Sequence, residues 1–188
     1  MRLAVFVVPF AVALALAGCA TSSDPGSSQG GAASEVRVAP PVPVPAAAAK
    51  NVVLTMTGPK QVVESKDWPE FQREWRETFA EHARDAGIAF RFADQPPAAG
   101  AEDGTLLTVD VADYRIVGIG ARVFFGAMTG NAYIDAVVRY TNLRDGRAFG
   151  EQPAKTTSSA WGGVFARVTP QQVDAIASTV FADLKAAR

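Results

Sequence analysis

The sequence predicts an α+β fold: a single domain in which a three- to five-stranded, mainly antiparallel sheet is covered on one face by two amphipathic helices. Three observations carry that reading. Several segments alternate apolar and polar residues between turn signals, the period of a half-buried strand. Two other segments repeat apolar residues at three- and four-residue steps, the period of a helix with one buried face. The elements run strand, helix, several strands with hairpin-like connections, helix, the order expected when helices collect on one face of an antiparallel sheet.

Each element has its own warrant. Val52, Leu54 and Met56 alternate with Val53, Thr55 and Thr57 in a first strand, which Gly58-Pro59 ends. Asp67 is placed to cap a helix, with Glu70 at capping-box spacing and Pro69 tolerated in the first turn. Trp68, Phe71, Trp75, Phe79 and Ala86 then form one aromatic face, Arg73 and Glu77 pair on the wet side, and Gly87 suits the left-handed closing position. Ile88 to Phe92 is a short strand, and the stretch from Gln95 to Gly104 is loop. Leu106 to Val117 reads as a long strand. Strict alternation puts Leu107, Val109 and Val111 on one face and Asp110, Ala112, Tyr114 and Ile116 on the other, with Asp110 and Asp113 opposed. Ala132 to Asn142 alternates likewise, Asp145-Gly146 is a hairpin turn, and Ala148 to Ser159 returns, with Pro153 marking an edge or a bulge. Thr169-Pro170-Gln171-Gln172 starts the last helix, whose stripe is Val173, Ile176, Ala177, Val180, Phe181 and Leu184. Lys185 and Arg188 sit at its negative end.

The beginning of the chain is of another kind. Arg2 precedes an apolar run from Leu3 to Leu16 that is too short to span a bilayer, and small residues lead to Cys19, the only cysteine. Leu16-Ala17-Gly18-Cys19 resembles the lipobox of bacterial lipoproteins. The resemblance implies that residues 1–18 are a signal peptide, that Cys19 is acylated on its sulfur and on its new amino group, and that Ala20 after it directs sorting to the outer membrane. Several acyl chains make such attachment effectively permanent. Residues 19–50 read as a tether, Ser/Gly-rich and then Pro/Ala-rich, whose second half favours extended polyproline II. Residues 51–188 have the size of one ordinary domain.

Composition and motifs exclude several chemistries. With 18 Lys and Arg against 19 Asp and Glu, spread thinly, the chain has none of the basic clustering of a nucleic-acid partner. No cofactor or metal is expected, because the dinucleotide and phosphate-loop fingerprints are missing and the chain has too few His and Cys ligands. His82 is the only histidine; without a nucleophile elbow or a free cysteine it reads as a residue on the flank of the first helix, and no catalytic residue is expected. Asp110, Asp135 and Arg139 read as wet-face charges, some of them paired across strands. Gly118 to Gly130 stands out, with four glycines, Arg122, adjacent Phe124 and Phe125, and Met128. Two readings are open: an adaptable contact surface for a partner protein or lipid, or a buried bulge-and-turn region. Trp161 to Phe165 is similar in character and reads as a helix-entry loop plugging the core.

From Val52 onward the order of elements is similar to that of small strand-helix-strands-helix envelope lipoproteins such as the lipopolysaccharide-assembly lipoproteins. Gly118 to Gly130, Ala132 to Tyr140 and Asp145-Gly146 are also similar to proteobacterial lipoproteins grouped under a domain of unknown function. The resemblance implies a non-enzymatic role in the periplasm-facing envelope, with the membrane reached through the lipid and an envelope protein as partner. The expected contact surface is Arg122, Phe124, Phe125 and Met128. A lipid or amphiphile carrier with an apolar cavity between helices and sheet is the alternative.

Overall fold

The computed structural model describes residues 40–100, 102–116, 132–157 and 168–187. Among them, strand β1 (Asn51–Thr57) leads through a one-turn helix α1 (Lys60–Val63) into α2 (Trp68–Ala86) and β2 (Ala89–Phe92). Strands β3 (Thr105–Arg115), β4 (Tyr133–Asn142) and β5 (Ala148–Thr157) follow, then α3 (Val168–Lys185). The sheet order is β2-β1-β3-β4-β5. The two longest pairings, β3 with β4 and β4 with β5, are antiparallel, whereas β1 runs parallel to both of its neighbours. The expected α+β class holds, and the sheet is mixed because α2 returns the chain to the starting end before β2 begins.

Both helices lie on one face and bury their predicted stripes: Phe71, Trp75 and Phe79 from α2, and Val173, Ile176, Ala177, Val180, Phe181 and Leu184 from α3. Beneath them lie Val52, Leu54 and Met56 of β1, Leu107, Val109 and Val111 of β3, and Ile134 to Tyr140 at alternate positions of β4. The aromatic rings of α2 make a ladder, Phe71 edge-on to Trp75 at 5.9 Å and Trp75 stacked on Phe79 at 5.3 Å, which continues to Phe181 of α3 at 5.8 Å. On the opposite face Val53, Leu106 and Leu143 form a small second cluster with Ala93.

Gly87 takes the left-handed closing position (φ 65°), and Gly146 (φ 73°) completes the β4–β5 turn, where Asn142 and Asp145 accept backbone amides of Arg144 and Arg147. Pro153 lies on β5, an edge strand of the sheet, where its missing N–H breaks no ladder.

Four details differ from the sequence reading. The register of β3 against β4 slips between Val111 and Asp113, so one extra residue is accommodated and the alternation reverses. Tyr114 therefore turns to the helix side, where it stacks on Phe71 at 4.2 Å and its hydroxyl meets Ser65 Oγ at 2.6 Å. Asp113 comes to the same face as Asp110, not the opposite one. Second, Asp67 makes no side-chain cap: it has helical φ and ψ because α1 feeds almost directly into α2, and a cap needs extended backbone. Third, α3 already includes Val168, so Thr169 lies inside its first turn, and Gln172 Nε2 donates to Ala132 O at 3.2 Å instead of closing a capping box. Fourth, the tether does not extend to residue 50. Val42, Val44, Ala48 and Ala49 are buried in the main core, so folded structure reaches back into the proline-rich stretch.

Candidate functional site at the two ends of the sheet

The sheet has two ends of different character. At one lie the start of β1, the start of β3 and the β4–β5 turn; at the other, Arg115, Tyr133 and Thr157 are in register.

At the first end the stretch Pro40–Lys50 runs as a strap from Gly150 of β5 and Asp183 of α3 to Thr105 of β3 and Ala89 of β2. Its valines point inward while Pro41 and Pro43 face out, an alternation of period two. A Cβ on Gly150 would lie 3.1 Å from Val42 Cγ1, so the glycine leaves a notch that the valine fills. Next to it is a buried polar cluster. Asp183 of α3 accepts from Gln152 Nε2 of β5 at 3.1 Å, from the Tyr140 hydroxyl of β4 at 3.2 Å, and from the backbone N–H of Val42. Burial pushes the Asp183 carboxyl above its ordinary range, against the pull of these three donors. Burial, and the neighbouring Asp183 carboxylate, likewise push the Tyr140 phenol far up, so it stays a donor. A pocket of about 310 Å³ adjoins the cluster, lined by Pro41 to Pro45, Asp183 and Ala186. Ala48 O accepts from Thr105 Oγ1 at 2.9 Å and holds the other half of the strap.

The second end carries the segments that the sequence singles out. Because Arg115 of β3 pairs with Tyr133 of β4, Gly118 to Gly130 is the connection of an antiparallel pair and leaves the sheet here. Thr157 of β5 also pairs with Tyr133, so the stretch containing Trp161 to Phe165 departs from the same end. At this end of the sheet Trp68, Tyr114 and Ser65 form an aromatic and hydroxyl cluster, with Trp68 and Tyr114 at 6.0 Å. Thr156 Oγ1, Thr169 Oγ1 and Gln172 Oε1 are buried near this end without a hydrogen-bond partner among the described residues. Arg122, Phe124, Phe125 and Met128 themselves lie outside the described residues, as do Cys19 and Trp161 to Phe165.

The remaining polar groups have ordinary structural tasks. His82 Nε2 meets Asp174 Oδ1 at 2.7 Å and its ring stacks on Phe181 at 5.9 Å, so it joins α2 to α3 on the flank of the helix. On the sheet face away from the helices Arg139 pairs with Asp110 at 2.9 Å and Lys155 with Asp135 at 3.1 Å, the cross-strand pairing expected of these charges. Asp113, brought to this face by the slip in register, accepts from the Tyr133 hydroxyl at 2.7 Å. Near the start of β3, Glu102 is held by Arg91 and by Asn51 Nδ2, and the Arg91 hydrogen bond keeps its carboxyl below the usual range. Among the described residues no group of three His, Cys, Asp or Glu side chains is arranged to hold a metal ion, and no helix is long and apolar enough to cross a membrane.

The sequence reading missed the strap and the Tyr140–Gln152–Asp183 cluster. Asp183 falls among the apolar positions of the last helix, three residues after Val180, and a carboxylate there is the signal that a polar partner waits in the core.

No family model matches the chain, and no curated protein sequence matches it. Among solved structures it is similar to the PelC dodecamer from Paraburkholderia phytofirmans at 18% identity, covering 78% of this chain and 94% of that one with a TM-score of 0.47. It is also similar to a minor lipoprotein from Acinetobacter baumannii at 10% identity, 73% and 94% coverage and a TM-score of 0.35. A hypothetical protein from Chlamydia trachomatis matches at 9% identity over 73% and 94% of the two chains, with a TM-score of 0.39. Likenesses at this level assign no ligand or role to this chain.

Proposed function

We propose that the protein is an outer-membrane lipoprotein, held by an acylated Cys19, whose domain faces the periplasm and serves as a non-enzymatic binding or assembly module of an envelope complex. One observation carries the reading. The two glycine- and aromatic-rich connections leave the sheet at the end opposite the one where the strap brings the chain into the domain. A domain whose chain enters at one end of the sheet and whose glycine- and aromatic-rich connections depart from the other is suited to hold a partner away from its own point of attachment. The packing of the interior favours this over a lipid carrier: Leu54, Phe71, Trp75, Phe79, Leu107 and Phe181 fill the space between helices and sheet, each fully buried.

Photo-crosslinking from position 124 or 125 in intact cells tests the proposal. A discrete adduct of higher mass is expected, and recovery of monomer alone from both positions overturns it. Native mass spectrometry separates the carrier, which would retain a lipid through purification.

A further inference from the structure

We propose that Pro40–Lys50 is a releasable latch: a strap that seats Val42 and Val44 at the Gly150 notch and the Asp183 cluster, and leaves that seat while the sheet and helices stay folded. Its attachments differ in kind from those of the strands. Pro40, Pro41, Pro43 and Pro45 have no N–H to give to any ladder. The strap's own backbone bonds are local, Ala48 N to Pro45 O at 2.9 Å and Ala49 N to Ala46 O at 3.4 Å. Among the described residues, what fastens it to the rest is a small set of points: the Val42 N–H on Asp183, the Thr105 hydroxyl on Ala48 O, Ala89 N on Lys50 O, and the four buried side chains. β1, by contrast, is laddered on both sides. A surface pocket of about 310 Å³, lined by the prolines and Asp183, opens beside this seat. Segments with few buried contacts and few backbone bonds open at lower free energy than the sheet they rest on.

Release changes reach. Eleven residues freed from the surface add up to roughly 34 Å at the rise of an extended proline-rich chain. That this length is added to a membrane tether rests on the lipid-anchor reading above; the release itself does not.

Hydrogen–deuterium exchange of the full chain, resolved by mass spectrometry, tests the latch. In the unsubstituted protein the amides of residues 42–49 are expected to exchange at least about tenfold faster than those of β1. In Val42→Asp and in Asp183→Ala the strap should reach the unprotected rate while β1, β3 and β4 keep their protection. Equal rates for strap and β1 in the unsubstituted chain overturn the proposal, as does loss of protection across the sheet in both variants. The intact mass at Cys19, read from the same sample, reports separately on the anchor: a missing lipid removes the tether consequence and leaves the latch to stand or fall on exchange.

Discussion

Asp183 and Glu102 show how one kind of side chain, a carboxylate, acquires opposite pH behaviour from its surroundings. Glu102 is half-exposed and bound by Arg91, so its folded-state pKa is depressed and whatever stability it gives is lost as pH falls through that lowered value. Asp183 is the reverse. Burial raises its folded-state pKa, so its contribution is fully present below the ordinary carboxylate range and lost as pH rises through the raised value. Asp183→Asn keeps an acceptor for the Val42 amide and carries no charge. The melting temperature of the Asp183→Asn variant, relative to the unsubstituted protein, should therefore climb as pH is raised from about 4 toward 7; a difference that stays flat across that range would show that the carboxyl is not desolvated. Much at this scale was legible beforehand. Gly87 and Gly146 declared their positive φ through position alone. Asp183 did not, because its three donors come from the strap, β4 and β5, which only the tertiary fold brings together.

Among the elements, α2 owes its place to the aromatic ladder more than to its ends, since its N-terminus has no side-chain cap. Trp75 is at the centre of that ladder and fully buried, and its indole N–H has no partner among the described residues. Trp75→Ala should cost about 3–5 kcal/mol in chemical denaturation, the range for emptying a large aromatic site. Trp75→Phe should cost clearly less, because it keeps the ring stack and removes an orphaned donor. If the two variants are equally damaging, the ladder is not what holds the helix. Both long helices and the strands β1, β3 and β4 were visible in periodicity, because a one-sided core imposes its period on the sequence, whereas β2 and β5 were placed by the turn signals around them. The slip in β3 was hidden: a bulge depends on what the partner strand presents, and no residue near Ala112 marks it. Its effect is to move Tyr114 from the wet face to a stack on Phe71. The strap was hidden for a different reason. Proline and alanine dominate it, and composition masked the period-two burial of Val42 and Val44.

For the whole molecule, anchor and domain are separable in the sequence, and the proposed location depends on one atom, the sulfur of Cys19. A Cys19→Ala chain should appear in the soluble periplasmic fraction with an unchanged melting transition; if it still sediments with outer membranes, the lipid is not what holds it there. The Gly118 to Gly130 connection between β3 and β4 was legible by its unusual composition, and its point of departure follows from the pairing of Arg115 with Tyr133. The opposition of the two ends was not legible, because it needs the strand order, which places β1 between β2 and β3. That order also bears on how the molecule is made. The first strand to emerge during synthesis or export is an inner one, and both of its hydrogen-bonding neighbours are encoded later, the second beginning only at Thr105. The cover over β4 and β5 comes last, from α3. A newly made chain therefore carries an apolar strand with an unpaired edge until the residues from Thr105 onward have been made, the kind of intermediate that aggregates unless a chaperone shields it.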